Sequence, residues 1–404
     1  MKRIAFFTGA GASKAFEFPL TAEILPRILS RLADGSLLQQ HPELSKTLQR
    51  FIEGVYPGLL LTFKGDMPLI TDILSVLDQA VASESATVCG FAAADLQLVR
   101  RAIEQAIFEV MDWFDDYQGG DPKALSKCVE WLRSSHFESN TQVGLISTNY
   151  DTILEHRWFN KKVMTYAEIQ ENVDFGFPWR DPHADKIHPR PTSPKSRVYK
   201  LHGSFNGLRC PLCDHVYINL DGPIFSIAYE RPHEFNQCHC GHAPLQSMIV
   251  APSMVRNVQS SALLETWRNA LEFLRVSDLW IIAGYSIPPE DVAIRSLFIR
   301  ALNGREEWPQ ILIVQRGAKV DLLCRLLALF PDCKFYADGM ENFAGALDDL
   351  GALYQKTPTA REVLKGKIPA MIEQWRAGLR TSTDESAARL KEQIAEAEAL
   401  QGRL

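Results

Sequence analysis

The sequence predicts an α/β protein with a doubly wound parallel sheet, a helical insertion, a small inserted module and a C-terminal helical tail. Short, nearly continuous apolar runs are typical of strands that are buried on both faces. These runs alternate with helical patterns, which favours parallel strands joined by helices. The runs that we interpret as strands are Ile4–Thr8, Val143–Thr148, Val198–Leu201, Met248–Ala251, Leu279–Ala283, Ile311–Val314 and Lys334–Tyr336.

Composition excludes several classes of protein. The chain has 404 residues, of which 46% are hydrophobic and 23% are charged, an ordinary balance for a globular protein. The net charge of -6 gives no electrostatic signal for nucleic-acid binding. The first apolar run is too short for a secretion signal and no run approaches a membrane span, so we expect no membrane association and a cytoplasmic location.

The first strand runs directly into a glycine-rich turn that precedes a helical pattern. Such a turn brings backbone amides close to a phosphate, and a helix N-terminus adds a partial positive charge. The turn has no third glycine and no lysine, which argues against an ordinary dinucleotide fingerprint or a P-loop. The alternative is a tight strand–helix turn without a ligand. The candidate phosphate-binding residues are Gly9, Ala10, Gly11, Ala12 and Ser13.

Three regions lie outside the strand pattern. Residues 21–140 show helical apolar spacing, for example Ile70, Ile73, Leu74 and Leu77, and we interpret them as a helical insertion. Segment 160–197 is rich in proline and histidine and is expected to be a long loop near the site. The tail from Thr381 onward predicts an amphipathic helix that packs on the body or on another subunit.

A polar motif follows the second predicted strand. An asparagine and an aspartate at a strand's carboxyl end are suited to ribose hydroxyls or to an ordered water. The alternative is that Asp151 only caps the next helix. The motif contains Thr148, Asn149, Tyr150 and Asp151.

A histidine follows the third predicted strand. His202 titrates near neutral pH, so it is able to accept a proton from a ribose hydroxyl, and Gly203 leaves room for a substrate. A structural role for this histidine is about equally expected from the sequence alone.

Four cysteines are clustered in the sequence, and the other four are scattered. Paired cysteines at short spacing favour a metal over disulfides when no secretion signal precedes them. Four thiolates would close a tetrahedral zinc shell, so we expect a structural zinc ion in a zinc-ribbon-like module. His239 or His242 remains a possible substitute for one cysteine ligand. The expected ligands are Cys210, Cys213, Cys238 and Cys240.

The later strand ends carry weaker signals. Gly284 and Ser286 follow the Leu279 run and could contact a phosphate or a ribose, and Gln315 follows the next run. Each signal is weak when taken by itself.

The order of these motifs resembles the sirtuin (silent information regulator) family. The resemblance covers about residues 1–20 and 141–345. It implies a Rossmann-like NAD-binding catalytic domain over 1–355, with the helical insertion at about 21–140, a zinc module at about 205–246 and a helical segment over 356–404. It also implies roles: Gly9–Ser13 would hold the pyrophosphate, and Thr148, Gly284, Ser286 and Gln315 would complete the NAD site. Asn149 and Asp151 would flank the nicotinamide ribose, and His202 would be the general base.

Departures from the deacylating members indicate which branch the chain is similar to. The stretch after the first turn differs from theirs and reads Phe16-Glu17-Phe18-Pro19-Leu20-Thr21. In the deacylating members, a segment after the zinc module pairs with the acylated peptide. The corresponding segment here reads Met248-Ile249-Val250-Ala251-Pro252-Ser253. A proline there removes a donor that strand pairing with a peptide needs. These features look like the sirtuin-like NAD hydrolases of bacterial antiphage defence.

The resemblance therefore implies an NAD glycohydrolase that depletes NAD, forms a homo-oligomer and works with a partner protein such as a defence-system ATPase. The alternatives are an NAD-dependent protein lysine deacylase and a non-catalytic module that senses NAD or ADP-ribose.

Overall fold

The structure is a computed structural model, and its description covers residues 2–59, 67–82, 87–111, 122–137, 141–158, 165–182, 186–220, 224, 237–241, 245–250, 260–289, 291–380 and 384–404.

A parallel sheet of seven strands forms the centre of the molecule. The order is β14-β13-β12-β1-β4-β8-β5, and each neighbouring pair is parallel. The chain proceeds outward from β1 in one direction through β4 and β8 and later in the other direction through β12 to β14, as in doubly wound folds. The strands are β1 (Lys2–Thr8), β4 (Thr141–Ser147), β5 (Val173–Asp174), β8 (Ser196–Lys200), β12 (Leu279–Ala283), β13 (Gln310–Val314) and β14 (Lys334–Tyr336).

Helices cover both faces of this sheet because its strands are apolar on both sides. In β1, Ile4 and Phe6 belong to one core, whereas Ala5 and Phe7 belong to the other. All four residues are buried. This double burial is the physical reason that the strands read as continuous apolar runs.

The region between β1 and β4 is mainly helical. Its apolar spacing buries one face of each helix, including Ile73 and Leu77 of the pattern noted above, against the first core. The elements of this region are α1 (Ala10–Lys14), α2 (Thr21–Ala33), α3 (Pro42–Val55), α4 (Ile70–Ala82), β2 (Thr87–Val88), β3 (Phe91–Ala92), α5 (Ala93–Val110) and α6 (Pro122–Phe137).

Residues 153–250 contain short elements and a second, five-stranded sheet of order β11-β9-β10-β6-β7. The expectation of a long loop over 160–197 was wrong for its described part, since this part contains a helix and three two-residue strands in addition to β8. These elements are α7 (Ile153–Trp158), α8 (Tyr166–Asn172), β6 (Trp179–Arg180), β7 (Ile187–His188), β9 (Gly207–Arg209), β10 (Val216–Ile218) and β11 (Gln246–Ser247).

One predicted strand of the main sheet is not found there. In the Met248–Ala251 run, the described residues Met248–Val250 follow β11 without forming a strand, and Ala251 lies outside the described residues. Met248 and Ile249 are apolar because they are buried in the first core, so apolar character did not identify a strand here. The seventh strand is the two-residue β5, which is too short to give a pattern.

The remaining helices pack mainly on the second core and form a helical C-terminus. They are α9 (Ser261–Val276), α10 (Val292–Leu302), α11 (Val320–Leu329), α12 (Gly339–Gly345), α13 (Leu350–Lys356), α14 (Ala360–Leu379) and α15 (Asp384–Arg403), with a 3₁₀ turn at Leu347–Asp349. The predicted α/β fold class is confirmed. Among the described residues, no helix combines the length and apolarity that a membrane crossing requires.

Candidate active site

The carboxyl ends of the parallel strands meet at one edge of the main sheet, and the predicted motifs lie along this edge. β1 lies between β12 and β4. The chain changes direction at β1, so the crevice at its carboxyl end is the place where doubly wound sheets bind ligands. The Thr148 N–H donates to the Thr8 carbonyl over 3.1 Å and joins the motif after β4 to the end of β1.

The glycines of the first turn pack tightly against the turn after β12. A Cβ atom on Gly284, whose φ is +63°, would lie 1.8 Å from the Ala12 nitrogen, and one on Gly9 would lie 2.8 Å from the Gly284 oxygen. The N–H groups of Gly9 and Gly11 donate to the carbonyls of Ala283 and Gly284 at 3.0 and 2.8 Å. Close backbone packing is therefore sufficient to explain these glycines.

The turn keeps a smaller set of donors for a phosphate than its sequence suggests. The N–H groups of Gly9 and Gly11 already donate to backbone carbonyls, and the Ala12 N–H donates to the Gly9 carbonyl. Ala10 is the first residue of α1, so its N–H has no acceptor within that helix. Phosphate binding by Gly9–Ser13 stays a prediction.

Asn149, Ser13 and Asp151 form a polar chain across two strand ends. Asn149 Nδ2 donates to the Gly9 carbonyl at 3.0 Å and to Ser13 Oγ at 2.8 Å. The Ser13 hydroxyl donates to Asp151 Oδ2 at 2.7 Å. Both amide hydrogens of Asn149 are thereby committed, so its Oδ1 is the atom that can receive a hydrogen bond from a substrate hydroxyl or a water. Ser13 stays a predicted phosphate contact, and the structure places its hydroxyl between these two side chains.

Asp151 also fits the capping alternative. Its Oδ1 accepts from the Ile153 N–H at 3.3 Å, at the start of α7. One carboxylate thus both stabilises the helix start and accepts the Ser13 hydroxyl, and Asp151 is 5% exposed.

His202 lies beside the β4 motif. Its Nδ1 donates to the Thr148 carbonyl over 3.2 Å, which assigns the other ring nitrogen, Nε2, as the acceptor of the neutral imidazole. Its ring centroid lies 6.4 Å from that of Trp267, and Trp267 Nε1 donates to the Leu201 carbonyl at 2.9 Å. Asn149 and His202 therefore follow the neighbouring strands β4 and β8, and His202 is hydrogen-bonded to the residue that precedes Asn149.

Gly203 is required by its conformation and surroundings. Its φ is +79°, and a Cβ atom there would lie 2.1 Å from the Met248 carbonyl oxygen. The Val250 N–H donates to the His202 carbonyl at 2.9 Å, so this segment supports the histidine turn. The rest of the segment compared with the peptide-pairing stretch, Ala251–Ser253, lies outside the described residues.

The predicted NAD contacts at the ends of β12 and β13 have different surroundings. Gln315 Nε2 donates to the Tyr285 carbonyl at 2.7 Å, which links the ends of β12 and β13. Ser286 is exposed, and Gly284 packs on the first turn. NAD contacts by these residues stay predictions.

Two charged residues near the site were not predicted. Lys200, the last residue of β8, donates to Glu155 Oε1 at 2.6 Å and also to the Asp151 carbonyl. Burial raises the pKa of Glu155, and this effect exceeds the opposing effect of Lys200. The position of Lys200 two residues before His202 was the available signal, but only the fold pairs it with Glu155.

Helix α5 of the helical region borders the β4 motif. The Phe108 ring packs edge-on against Phe205 at 5.1 Å, and Phe205 contacts the Tyr150 ring at 5.8 Å. Arg100 on the same helix pairs with Glu104 at 2.8 Å and with Asp78. The helical region is thus packed against the candidate site.

The four clustered cysteines converge as a metal site requires. Their sulfur atoms all lie within 4.8 Å of one another. The Cys213 and Cys238 sulfurs are 3.3 Å apart, and the Cys210 and Cys240 sulfurs are 3.8 Å apart. A tetrahedral zinc ion with Zn–S bonds of about 2.3 Å places its ligand sulfurs ~3.8 Å apart. The cluster is therefore compatible with zinc.

Two histidines and a tyrosine surround this cluster. His215, Cys238 and His239 form an overlapping group with the same reach. His239 Nδ1 lies 2.8 Å from the Tyr217 hydroxyl. Burial raises the pKa of Cys238, but hydrogen bonds, first that from Tyr217, outweigh it and lower this pKa to about 6, which favours the thiolate. The four predicted cysteines meet at one point, His239 lies within reach of Cys238 as the alternative ligand, and His242 lies outside the described residues.

Comparison with known proteins gives one kind of similarity. No protein-family model matches the chain, and no curated protein does. Solved structures do match, among them a mutant of a Sir2 homologue in complex with ADP-ribose, at 12% identity and a TM-score of 0.36. The match covers 87% of this chain and 94% of that chain. No residue role is carried over from it.

Proposed function

We propose that this chain hydrolyses NAD at the nicotinamide–ribose bond and releases nicotinamide and ADP-ribose. The observation that carries the proposal is the hydrogen-bonded set of side chains after β1, β4 and β8. Ser13, Asn149 and Asp151 are linked directly, and His202 donates to the backbone next to Asn149. NAD is proposed as the substrate because of the order of the motifs along the sequence.

The chemistry of these groups supports bond cleavage through a positively charged ribose. Asp151 supplies a carboxylate near the strand ends, and negative charge stabilises an oxocarbenium-like transition state. Asn149 offers its Oδ1 to a ribose hydroxyl or to the attacking water. His202 offers Nε2 as the proton acceptor because its Nδ1 is held by Thr148.

The reaction balances with water as the only second reactant. The C–N bond to nicotinamide breaks, its electron pair stays on the nicotinamide nitrogen, and a water oxygen forms the new bond to the ribose carbon. The proton that this water loses passes to His202 and then to solvent. The four cysteines would take no part in the reaction, since a zinc ion that they held would have no position left for water.

Regulation is part of the proposal. An NAD hydrolase that was always active would deplete the cell, so we infer a homo-oligomer or a partner protein, such as a defence-system ATPase, that controls activity during antiphage defence in the cytoplasm. The helical region and the helix Asp384–Arg403 are the candidate contact surfaces.

The test is NAD consumption by the purified full-length protein, alone and with the product of a neighbouring gene, with products identified by mass spectrometry. The proposal expects nicotinamide and unmodified ADP-ribose. With an acylated peptide present, O-acyl-ADP-ribose would identify a lysine deacylase instead. Thermal stabilisation by NAD without nicotinamide release under either condition would identify a sensing module.

A further inference from the structure

The Lys200–Glu155 ion pair joins the two loops of the candidate site. Lys200 ends β8, two residues before His202, and its ammonium group reaches the Asp151 carbonyl, two residues after Asn149. The same group donates to Glu155 Oε1 at 2.6 Å, in the first turn of α7. The pair therefore connects the strand end that carries the histidine with the loop that carries the amide.

The surroundings of this pair are unfavourable for charge. The side chains of Lys200 and Glu155 are 12% and 7% exposed. They border a small cavity whose apolar wall includes Phe175, Phe177 and Met248. Removing two charges from water costs about as much as their attraction returns, so such a pair is a weak source of stability. A buried pair at this place is better explained by the geometry that it imposes.

The geometry in question is the relative position of the two loops. The imidazole of His202 and the amide of Asn149 must meet one ribose in the proposed reaction. The His202–Thr148 and Phe205–Tyr150 hydrogen bonds also join the two loops. They hold the loop after β4 at Thr148 and Tyr150, the residues on either side of Asn149. Lys200 adds a charge-assisted hydrogen bond to the Asp151 carbonyl, which fixes the position of the loop at its end, where α7 follows.

We propose that Lys200, held by Glu155, is a positioning residue that keeps Asn149 and His202 in the relative position that NAD hydrolysis requires. This inference rests on the proposed function. It assigns Lys200 no contact with NAD, and its effect passes through the Asp151 carbonyl.

The decisive variant removes both charges at once. In K200M/E155L, apolar side chains replace the ion pair, so folding stability should be kept or raised, as for other buried pairs. Activity should nevertheless fall, since small misplacements of reacting groups cost about 10²-fold in rate. We expect this loss in kcat with little change in the KM for NAD, and partial recovery of kcat in K200R, which keeps the charge and the donors.

R190M is the matched control. Arg190 pairs with the buried Asp174 at 2.8 Å, and its Nε and Nη2 atoms donate to Asp174 rather than to residues 148–151 or 202. This variant should lose stability and keep its kcat at a temperature well below its unfolding transition. A role in stability alone would make activity follow the melting temperature across all variants.

A second readout does not depend on turnover. Loosening of the loop should weaken the hydrogen bond from His202 Nδ1 to the Thr148 carbonyl, which ¹⁵N shifts of the imidazole report, and should speed amide exchange at Phe205, whose N–H donates to the Tyr150 carbonyl. Wild-type kcat in K200M/E155L, or unchanged His202 shifts and Phe205 exchange, overturns the inference. If the wild type never consumes NAD, the proposed function fails, and the shifts and exchange rates alone decide whether Lys200 positions the loops.

Discussion

The Asn149 amide has a structural role in the fold and a separate role in the proposed reaction. Its two hydrogens bind Gly9 and Ser13, whereas Oδ1 is the atom that would bind a substrate in the proposed reaction. His202 is divided in the same way, since Nδ1 binds the backbone and Nε2 is the base of the proposed reaction. Each side chain is therefore oriented before a substrate arrives, as electrostatic preorganisation requires.

We expect Asn149→Ala and His202→Ala each to reduce nicotinamide release by about 10²–10⁴-fold, the range for loss of a general base or a comparable group. Chromatographic measurement of nicotinamide checks this, and circular dichroism checks that both variants remain folded. Asn172→Ala is the control, because its amide also donates to a backbone carbonyl, that of Glu168, but lies at the end of α8. A wild-type rate in either site variant would remove that residue from the mechanism.

Gly203→Ala tests the strained turn that carries His202. A positive φ costs an L-residue about 1–2 kcal/mol, and the new Cβ would in addition meet the Met248 carbonyl at 2.1 Å. We therefore expect a lower free energy of unfolding in urea by at least ~1–2 kcal/mol. Gly366→Ala is the opposite control, since no atom lies within 4 Å of its Cβ in α14, and it should stabilise by about 0.5–1 kcal/mol. Equal stability of Gly203→Ala and wild type would contradict the described turn.

Residue types and spacing predicted which motifs follow the strands, but not which side chains contact one another. Ser13 belongs to the predicted glycine turn, but the sequence did not predict that its hydroxyl joins Asn149 to Asp151. Lys200 and Glu155 were not predicted at all, because their pairing depends on the angle at which α7 leaves β4. Such angles come from tertiary packing and leave no local pattern.

The outer edge of the main sheet depends on one buried carboxylate, that of Asp174. Asp174 ends β5 and accepts hydrogen bonds from Arg190 Nε at 2.9 Å, from the Gly176 N–H at 2.8 Å and from the Tyr199 hydroxyl of β8 at 2.8 Å. Burial raises the pKa of Asp174, but these donors outweigh it and hold the pKa below 3.8. The carboxylate thereby joins β5, β8 and the segment that leads to the second sheet.

The sign of this pKa shift predicts how stability depends on pH. A carboxylate with a lowered pKa in the folded state contributes fully above its unfolded pKa, and the contribution is lost as pH falls through the folded pKa. Asp174→Asn should therefore be less stable than wild type at neutral pH, by about 1.5–3 kcal/mol for a hydrogen-bonded charge. This difference should shrink below pH 3.8, the ordinary value, when urea unfolding is followed at several pH values.

The matched control is Glu43→Gln. Glu43 pairs with Lys46 on the surface, and its side chain is 83% exposed. Exposed pairs contribute little, so this variant should follow wild type at every pH. A pH-independent difference between Asp174→Asn and wild type would show that Asp174 is not ionised in the folded protein.

The strand predictions succeeded where burial on both faces produced long apolar runs and failed where strands were short. Six of the seven predicted runs lie in the main sheet. Met248–Ala251 is apolar because Met248 and Ile249 pack in the first core, next to the His202 turn. The two-residue strands β5, β6 and β7 carry no periodicity, since alternation needs several residues to become visible.

For the whole molecule, the described residues form two large cores on opposite faces of the main sheet and a small third core. The third core contains Leu208, Cys210, Tyr217, Ile224, Cys238 and Leu245. Two of its six buried members are therefore cysteines of the candidate metal site. The large cores share the central strands, so their stabilities are coupled, whereas the third core contains no residue of those strands.

Metal removal should therefore separate the small core from the large ones. So few buried side chains cannot offset the entropy of ordering such a module, and small modules of this kind are commonly stabilised by metal binding. We expect one zinc ion per chain by elemental analysis, and its loss in Cys210→Ser/Cys213→Ser. Amide exchange at Leu208 and Tyr217 should then speed up strongly, while exchange in β1 and β12 should change little.

Cys128→Ser/Cys333→Ser is the matched control, because both of its cysteines are buried in the large cores and neither belongs to the cysteine cluster. It should keep the zinc ion and the slow exchange at Leu208. A chelator should reproduce the effect of the Cys210→Ser/Cys213→Ser change in wild type. If the chelator instead abolished protection in β1 as well, the module would be coupled to the sheet. The metal would then stabilise the candidate active site through β9 and the Gly203 turn rather than the module alone.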